Sequence, residues 1–66
     1  MKIKYFRATD TALFEFSRRA VAATREVSET VYVDLDAAGN LVSMTIEHAK
    51  KTAGMREVAF EEMLAR

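Results

Sequence analysis

The sequence predicts a small α+β domain: an antiparallel β-meander of about five strands with a C-terminal α-helix packed on its apolar face. Two candidate β-hairpins and one helix-forming segment support this prediction. In both hairpins apolar and polar residues alternate on either side of a short loop, which is typical of strands with one buried face. The last segment is rich in residues of high helix propensity. A chain of 66 residues is expected to form one small domain, residues 1–66.

The second hairpin, residues 31–47, has the clearer pattern. Folding the chain about residues 37–40 sets three apolar pairs opposite each other: Val31 with Ile46, Val33 with Met44, and Leu35 with Val42. Gly39 and Asn40 suit the loop because both accept positive φ at low cost. A one-residue slip would turn one strand's apolar side chains to solvent, so the sequence specifies this register.

The first hairpin follows the same rule near the N-terminus. Its predicted loop, residues 8–11, sets Tyr5 opposite Phe14 and Ile3 opposite Phe16. Asp10 suits this loop because its carboxylate can accept nearby backbone N–H groups and its backbone tolerates a left-handed conformation. The shared parity of the two hairpins predicts the core: Ile3, Tyr5, Phe14, Phe16, Val31, Val33, Leu35, Val42, Met44 and Ile46.

Residues 17–30 between the hairpins allow two interpretations. Val21, Ala23 and Val27 alternate with other residues as in a strand that would carry Arg25 on the inner side. The same stretch contains good helix formers, and Ser17 could cap a helix. Continuity of the sheet favours a third strand over residues 21–27, and the helix remains the alternative.

Residues 55–66 are predicted to form the helix. Met55, Ala59 and Met63 make one stripe at helical spacing, with further apolar residues around more than half the circumference. A chain this short buries only ~60% of its unfolded surface, and it lacks cysteine and carries a single imidazole, so disulfide and zinc staples are excluded. We therefore expect a homodimer or higher homo-oligomer with the helix at or near the interface, and the interface candidates are Val58, Phe60, Met63 and Leu64.

Charge and hydropathy narrow the function classes. Basic and acidic residues number 10 each, so the net charge is zero. A general nucleic-acid binder needs a basic face to displace counterions, so a nucleic-acid partner is not expected. Apolar runs span only a few residues, against ~20 for a bilayer-spanning helix, and the first residues lack the apolar stretch of a signal peptide. We expect a cytoplasmic protein without a membrane partner.

One stretch resembles a metal site. Asp34, Asp36 and Gly39 have the spacing that opens a calcium-binding loop. The fifth position is Ala38, however, and the twelfth is Thr45 where a bidentate glutamate is required. Solvent-facing carboxylates near a hairpin tip explain the pattern better, so no metal ligand is expected.

No pattern indicates catalysis. His48 and the adjacent Glu47 would point to opposite faces of a strand, and no serine lies in a nucleophile-elbow pattern. Two glycines are too few for a glycine-rich phosphate loop. Short basic clusters at residues 18–25 and 50–56 lie beside glutamates that would cancel their field. An acid/base pair could come from carboxylates on one sheet face, although an exposed polar face is the preferred explanation for them: Glu15, Glu26, Asp34 and Asp36. We therefore expect no catalytic residue and no cofactor.

Several stretches together resemble a known family. They are residues 1–6, 9–11, 26–27 and 33–42. In these stretches the chain is similar to a family of short bacterial and archaeal proteins, Domain of Unknown Function 2283. It departs from the family pattern at residues 12–14, at Ser43 in place of a usual glycine, and at His48 in place of a usual acidic residue. The resemblance implies a small antiparallel sheet with a terminal helix and an extended conformation for residues 21–27, and it implies no activity.

These observations predict a non-catalytic, self-associating interaction module, an antitoxin-like or regulatory protein that also binds a protein partner. The alternative is a small-molecule-binding or hydrolytic protein with a site between subunits. A nucleic-acid binder is the third class, and the balanced charge disfavours it.

Overall fold

The structure, a computed structural model, describes residues 1–54. The elements are β1 (Lys2–Phe6), β2 (Thr11–Glu15), β3 (Ala23–Ser28), β4 (Val31–Leu35), β5 (Leu41–Ile46) and α1 (Ala49–Ala53). The five strands form one antiparallel sheet in the order β1-β2-β5-β4-β3. The predicted small α+β fold with an antiparallel sheet is confirmed.

The two hairpins join through β2 and β5, so that β1 and β3 form the edges of the sheet. Residues 16–22 carry the chain from β2 to the far edge. The backbone N–H of Phe16 donates to the carbonyl of Val42 (2.8 Å), and that of Ala22 donates to the carbonyl of Leu35 (2.8 Å). The connection therefore runs along the end of the sheet where β4 ends and β5 begins.

The second hairpin has the predicted register over most of its length. Val31 pairs with Ile46, and Val33 pairs with Met44. The predicted pairing of Leu35 with Val42 is wrong, because the register shifts after Asp34 and Leu35 pairs with Leu41. Strand β5 has one extra residue at this shift, Val42, which has no partner in β4 and is 5% exposed. Alternation of apolar and polar residues alone could not reveal it.

The register predicted for the first hairpin is wrong by two residues. Ile3 pairs with Phe14 and Tyr5 pairs with Ala12, because the loop spans residues 7–10 rather than 8–11. Asp10 has the expected left-handed backbone, with φ 54°. An even shift leaves every side chain on its predicted face, so the assignment of faces survives the error.

The third strand is confirmed for the ambiguous segment. It begins at Ala23 rather than at Val21, and all its residues are exposed. Arg25 pairs with Val33 and so lies on the inner side, as predicted. The register shifts between Glu26 and Ser28, which makes a bulge in this edge strand.

The buried residues of the described chain form a small core. They are Ala12, Val42, Ile46, Ala49 and one polar residue, Ser43. Six predicted core residues are only partly buried: Ile3, Phe14, Val31, Val33, Leu35 and Met44. Placing Tyr5 and Phe16 in the core was wrong, since they are 39% and 37% exposed. Tyr5 lies in an edge strand, and Phe16 follows the end of β2.

Helix α1 precedes the predicted helical segment. It ends at Gly54, whose φ of 61° is left-handed and whose N–H donates to the carbonyl of Ala49. The helix predicted for residues 55–66 lies outside the described residues, and so do the interface candidates Val58, Phe60, Met63 and Leu64. Within residues 1–54, no helix has the length and apolar character needed to cross a membrane.

Candidate interaction face

Strand pairing sets apolar residues side by side on one surface of the sheet, which we call the apolar face. One row crosses four strands and consists of Ile3, Phe14, Met44 and Val33. A second row consists of Tyr5, Ala12, Ile46 and Val31. Directly paired residues project to the same side of a sheet. The two rows therefore form one contiguous apolar surface.

Helix α1 covers only one end of the apolar face. Ala49 is fully buried and packs with Ala12 and Ile46 of the second row. Phe14 and Met44 pack against the margin of this cluster and remain partly exposed. Among the described residues, no large side chain is fully buried. The buried residues Ala12 and Ile46 both belong to the second row, whereas every residue of the first row is partly exposed.

The opposite surface, which we call the polar face, carries a hydrogen-bonded carboxylate. Thr24 Oγ1 donates to Asp34 Oδ1 and Ser43 Oγ donates to Asp34 Oδ2, both at 2.6 Å. The Ser43 bond, followed by the Thr24 bond, lowers the pKa of the Asp34 carboxyl, against a smaller opposing effect of burial. Because the three residues lie on β3, β4 and β5, this carboxylate links three strands.

Negative charge gathers at one corner of the polar face. Glu47 raises the pKa of the Tyr32 hydroxyl most, and burial, Glu26 and Glu29 add to the effect. The opposite edge carries Lys2 and Lys4 of β1. The polar face therefore carries charges of both signs, in contrast to the apolar face.

Both edges of the sheet carry features that discourage strand addition. Lys4 of β1 is exposed and forms an ion pair with Glu15 (3.6 Å). Edge strand β3 contains the charged pair Arg25 and Glu26 and the bulge that follows them. Lysines, charges and bulges at edges oppose intermolecular strand pairing. Neither edge is therefore well suited to pairing with a strand of another chain.

Asp10 ties the first hairpin to the start of α1. Its carbonyl oxygen accepts the N–H of Ala49 (2.8 Å), and its carboxylate accepts the N–H of Lys50 (3.3 and 3.4 Å). Tyr5 donates its hydroxyl to Asp10 Oδ1 at 2.5 Å. We call these contacts the Asp10 clasp. The Tyr5 hydrogen bond is the largest cause of the lowered pKa of the Asp10 carboxyl, and the same bond raises the pKa of Tyr5.

Asp36 organises the turn between β4 and β5. Its Oδ1 accepts the N–H of Ala38 (3.0 Å) and of Asn40 (2.8 Å), and Arg19 Nε lies 2.6 Å from its Oδ2. The Asn40 N–H is the main cause of a lowered pKa for this carboxyl. In residues 1–54, no cluster of three or more His, Cys, Asp or Glu has the arrangement of a metal site.

The remaining sequence candidates do not converge on a reaction centre. Glu15 and Asp34 share a row on the polar face, but Ser43 lies between them. His48 has an exposed side chain and a left-handed backbone, with φ 52°, directly before α1. Its described role is to turn the chain into the helix.

A recess of about 380 Å³ lies near the start of β1. Its lining consists of Met1, Lys2, Glu15, Phe16, Ser17 and Arg18. A carboxylate faces the same space as two cationic side chains. The recess therefore selects no single sign of charge.

Sequence reasoning missed α1 and the two long-range contacts of the aspartates. The segment from Ala49 to Ala53 contains helix formers and is followed by Gly54, a recognisable C-terminal helix signal. Lys50 and Asp10 are 40 positions apart in the chain, and Arg19 and Asp36 are 17 positions apart. No local pattern encodes contacts between residues so far apart.

Comparison with known proteins places the chain in a family. The family described as "Protein of unknown function (DUF2283)" matches residues 2–50. This match spans most of the chain, and the protein belongs to that family. Neither the curated proteins nor the solved structures contain a match to this chain. Membership agrees with the resemblance found in the sequence and brings no assigned activity.

Proposed function

We propose that this protein is a non-catalytic interaction module that self-associates by packing its apolar face against a second copy. The observation that carries the proposal is the row Ile3, Phe14, Met44 and Val33, which crosses four strands and stays partly exposed. Burying apolar surface stabilises an association by about 25 cal/mol per Å² before the entropic losses of binding are subtracted. A second copy supplies a surface of the same character.

Symmetry and edge chemistry support a second copy as the occupant. A two-fold arrangement makes one apolar patch self-complementary without any other partner. Lys4 and the β3 bulge oppose the competing edge-to-edge arrangement. Two sheets packed face to face would place their apolar side chains in one layer about 10 Å thick. The charged polar faces would then both remain in water.

The titratable groups support a non-catalytic role. The pKa values of Asp10, Asp34 and Asp36 are all lowered, and those of Tyr5 and Tyr32 are raised. Each shift moves the group further from neutral pH, whereas a general acid or base works best with a pKa near the operating pH. The three carboxylates also accept hydrogen bonds from the protein itself. They act as structural acceptors.

We also propose a location and a further partner for this protein. We place the module in the cytoplasm, with a second protein as a further partner in an antitoxin-like or regulatory role. Its zero net charge supports a protein partner over a nucleic acid. Identification of proteins retained by the purified module, with the Met44→Lys variant described below as the reference, would test this extension.

Sedimentation equilibrium of the native protein and two variants tests self-association. Met44→Lys places a charge in the middle of the apolar row, whereas Thr45→Lys places the same charge one position away on the polar face. We expect the native protein and Thr45→Lys to exceed monomer mass in the micromolar range, and Met44→Lys to remain monomeric. Circular dichroism of each variant verifies that the sheet is retained.

Two outcomes contradict the proposal. A native protein that stays at monomer mass up to high micromolar concentration does not self-associate. If instead Thr45→Lys dissociates the assembly and Met44→Lys does not, the interface lies on the polar face.

A further inference from the structure

The Asp10 clasp contacts the start of helix α1, the helix that covers one end of the apolar face. Within the described part of the chain, Ala49 is the only buried residue of α1, and it packs over Ala12 and Ile46. Without α1, these two residues would join Tyr5 and Val31 in an uncovered row. That row lies beside the row of Phe14 and its neighbours, so the apolar face would become wider and continuous.

Within residues 1–54, helix α1 makes few contacts that hold it in place. It comprises Ala49–Ala53, and isolated helices of this length are unstable in water. The backbone N–H groups of Ala49 and Lys50 donate hydrogen bonds to Asp10, and these bonds tie the helix to the first hairpin. Short segments with few buried contacts open locally far more readily than the core of a domain. Asp10 therefore provides much of the restraint on this helix.

We propose that α1 is a releasable cover on the apolar face, held closed by the Asp10 clasp, and that its release strengthens self-association. This inference rests on the proposed function, because it assigns a regulator to the same face. A second copy and α1 compete for Ala12 and Ile46, so whatever weakens the clasp shifts the balance towards the assembly. The protein would therefore exist in an equilibrium between two states. In the closed state α1 covers the row of Ala12 and Ile46, and in the open state a second copy covers it.

Charged groups around the clasp bias it towards the closed state. Lys50 and His48 lie on the side of α1, Arg7 lies in the hairpin loop, and Tyr5 contributes its hydroxyl from β1. The Asp10 carboxylate accepts the Tyr5 hydroxyl and lies near Lys50 and His48, whereas Arg7 acts on Tyr5. A neutral residue at position 10 keeps the loop geometry and loses this charge.

Two variants weaken the clasp in different ways. Asp10→Asn retains a residue type that tolerates φ 54° while it removes the negative charge. Tyr5→Phe removes only the hydroxyl donor and leaves the carboxylate for Lys50. Asp36→Asn is the matched control, since Asp36 is also a turn aspartate but contacts residues 19, 38 and 40 rather than α1.

Amide hydrogen exchange and sedimentation equilibrium, applied to the full chain, give separate readouts. Exchange is measured at a concentration where the native protein is monomeric. We expect Asp10→Asn to accelerate exchange at Ala49, Lys50 and Thr52 by about threefold, the size of effect typical of losing a negative charge at a helix N-terminus. Tyr5→Phe should give a smaller change in the same direction, and Asp36→Asn should give none at these amides. Both clasp variants should then associate more tightly than the native protein.

The outcomes separate the two proposals. Unchanged exchange in Asp10→Asn overturns the clasp. Faster exchange with unchanged or weaker association shows that α1 is not a competing cover, and the proposed self-association stands. A native protein and clasp variants that all remain monomeric, despite faster exchange, overturn the proposed function together with this regulation, while the clasp itself is retained as a local structural contact.

Discussion

At the scale of single residues, aspartates hold together segments that are far apart in the chain. Asp10 joins the first hairpin to α1, Asp34 joins three strands, and Asp36 joins its own turn to Arg19. In each case the acceptor is an ionised carboxylate, and hydrogen bonds to charged groups are stronger than those between neutral groups. Because few side chains are buried within residues 1–54, these polar links contribute part of the order of this region.

The lowered pKa of Asp34 predicts a pH dependence of stability. The carboxyl binds protons more weakly in the folded state than in the unfolded state, where its pKa is about 3.9. Its contribution to the free energy of unfolding is therefore present above that pH and is lost as the pH falls through the lower folded-state pKa. Asp34→Asn should be less stable than the native protein at neutral pH, and the difference should shrink under acidic conditions.

Urea denaturation from neutral to acidic pH measures this difference, and NMR titration of the side-chain carboxyls identifies its source. Ser43→Ala removes the donor with the largest effect and should raise the pKa of Asp34. Ser28→Ala alters an exposed serine of β3 and is the control. A pH-independent gap between Asp34→Asn and the native protein would show that the carboxylate's charge is not what stabilises the fold.

At the scale of elements, the sequence was informative wherever local geometry decides the structure. Alternation assigned Ile3, Phe14, Val33 and Met44 to one face correctly, because side chains in a strand alternate with a period of two. Alternation does not distinguish registers that differ by two residues, and for that reason the first hairpin was misaligned. The pairing of β2 with β5 depends on a seven-residue connection, residues 16–22, that carries no pairing signal.

The site was less predictable than the sheet for the same reason. Asp10 was recognised as a loop residue from its own preferences, but its partners Ala49 and Lys50 lie at the other end of the chain. Sequence reasoning identified the apolar face and overestimated its burial. The alternation of side chains along a strand indicates which face of the sheet a residue lies on. It carries no information about how completely another layer covers that face.

The turn between β4 and β5 requires a left-handed backbone at Gly39. Gly39 has φ 86°, and a Cβ added there would meet no atom within 4 Å. The effect of Gly39→Ala is therefore one of backbone strain alone, and it should lower the free energy of unfolding by about 1 kcal/mol. Gly39→Asn should lose less, because asparagine adopts positive φ more readily than alanine does.

Urea denaturation at neutral pH compares these two variants with the native protein. Equal losses for alanine and asparagine would mean that positive φ is not the source of the strain. Equal stability of all three proteins would mean that the turn tolerates a different conformation of residue 39.

At the scale of the whole molecule, the arrangement of faces and edges supports the proposal that a second copy is the partner. The described chain is a single sheet with a polar face, two edges protected by charge or a bulge, and an apolar face that α1 covers at one end. A single sheet gains independent stability when its apolar side packs against another layer. Association and folding are therefore expected to be coupled.

This coupling predicts that thermal stability depends on protein concentration. A partner that binds only the folded state stabilises it by mass action, so the melting temperature of a self-associating protein rises with its own concentration. A tenfold increase should raise the melting temperature of the native protein by about 3 °C. Met44→Lys, with its charge in the apolar row, should melt at one temperature over the same range, and Thr45→Lys should follow the native protein. Differential scanning calorimetry at several concentrations makes the comparison. A melting temperature of the native protein that stays constant would mean that the apolar face contributes no association energy to the folded state.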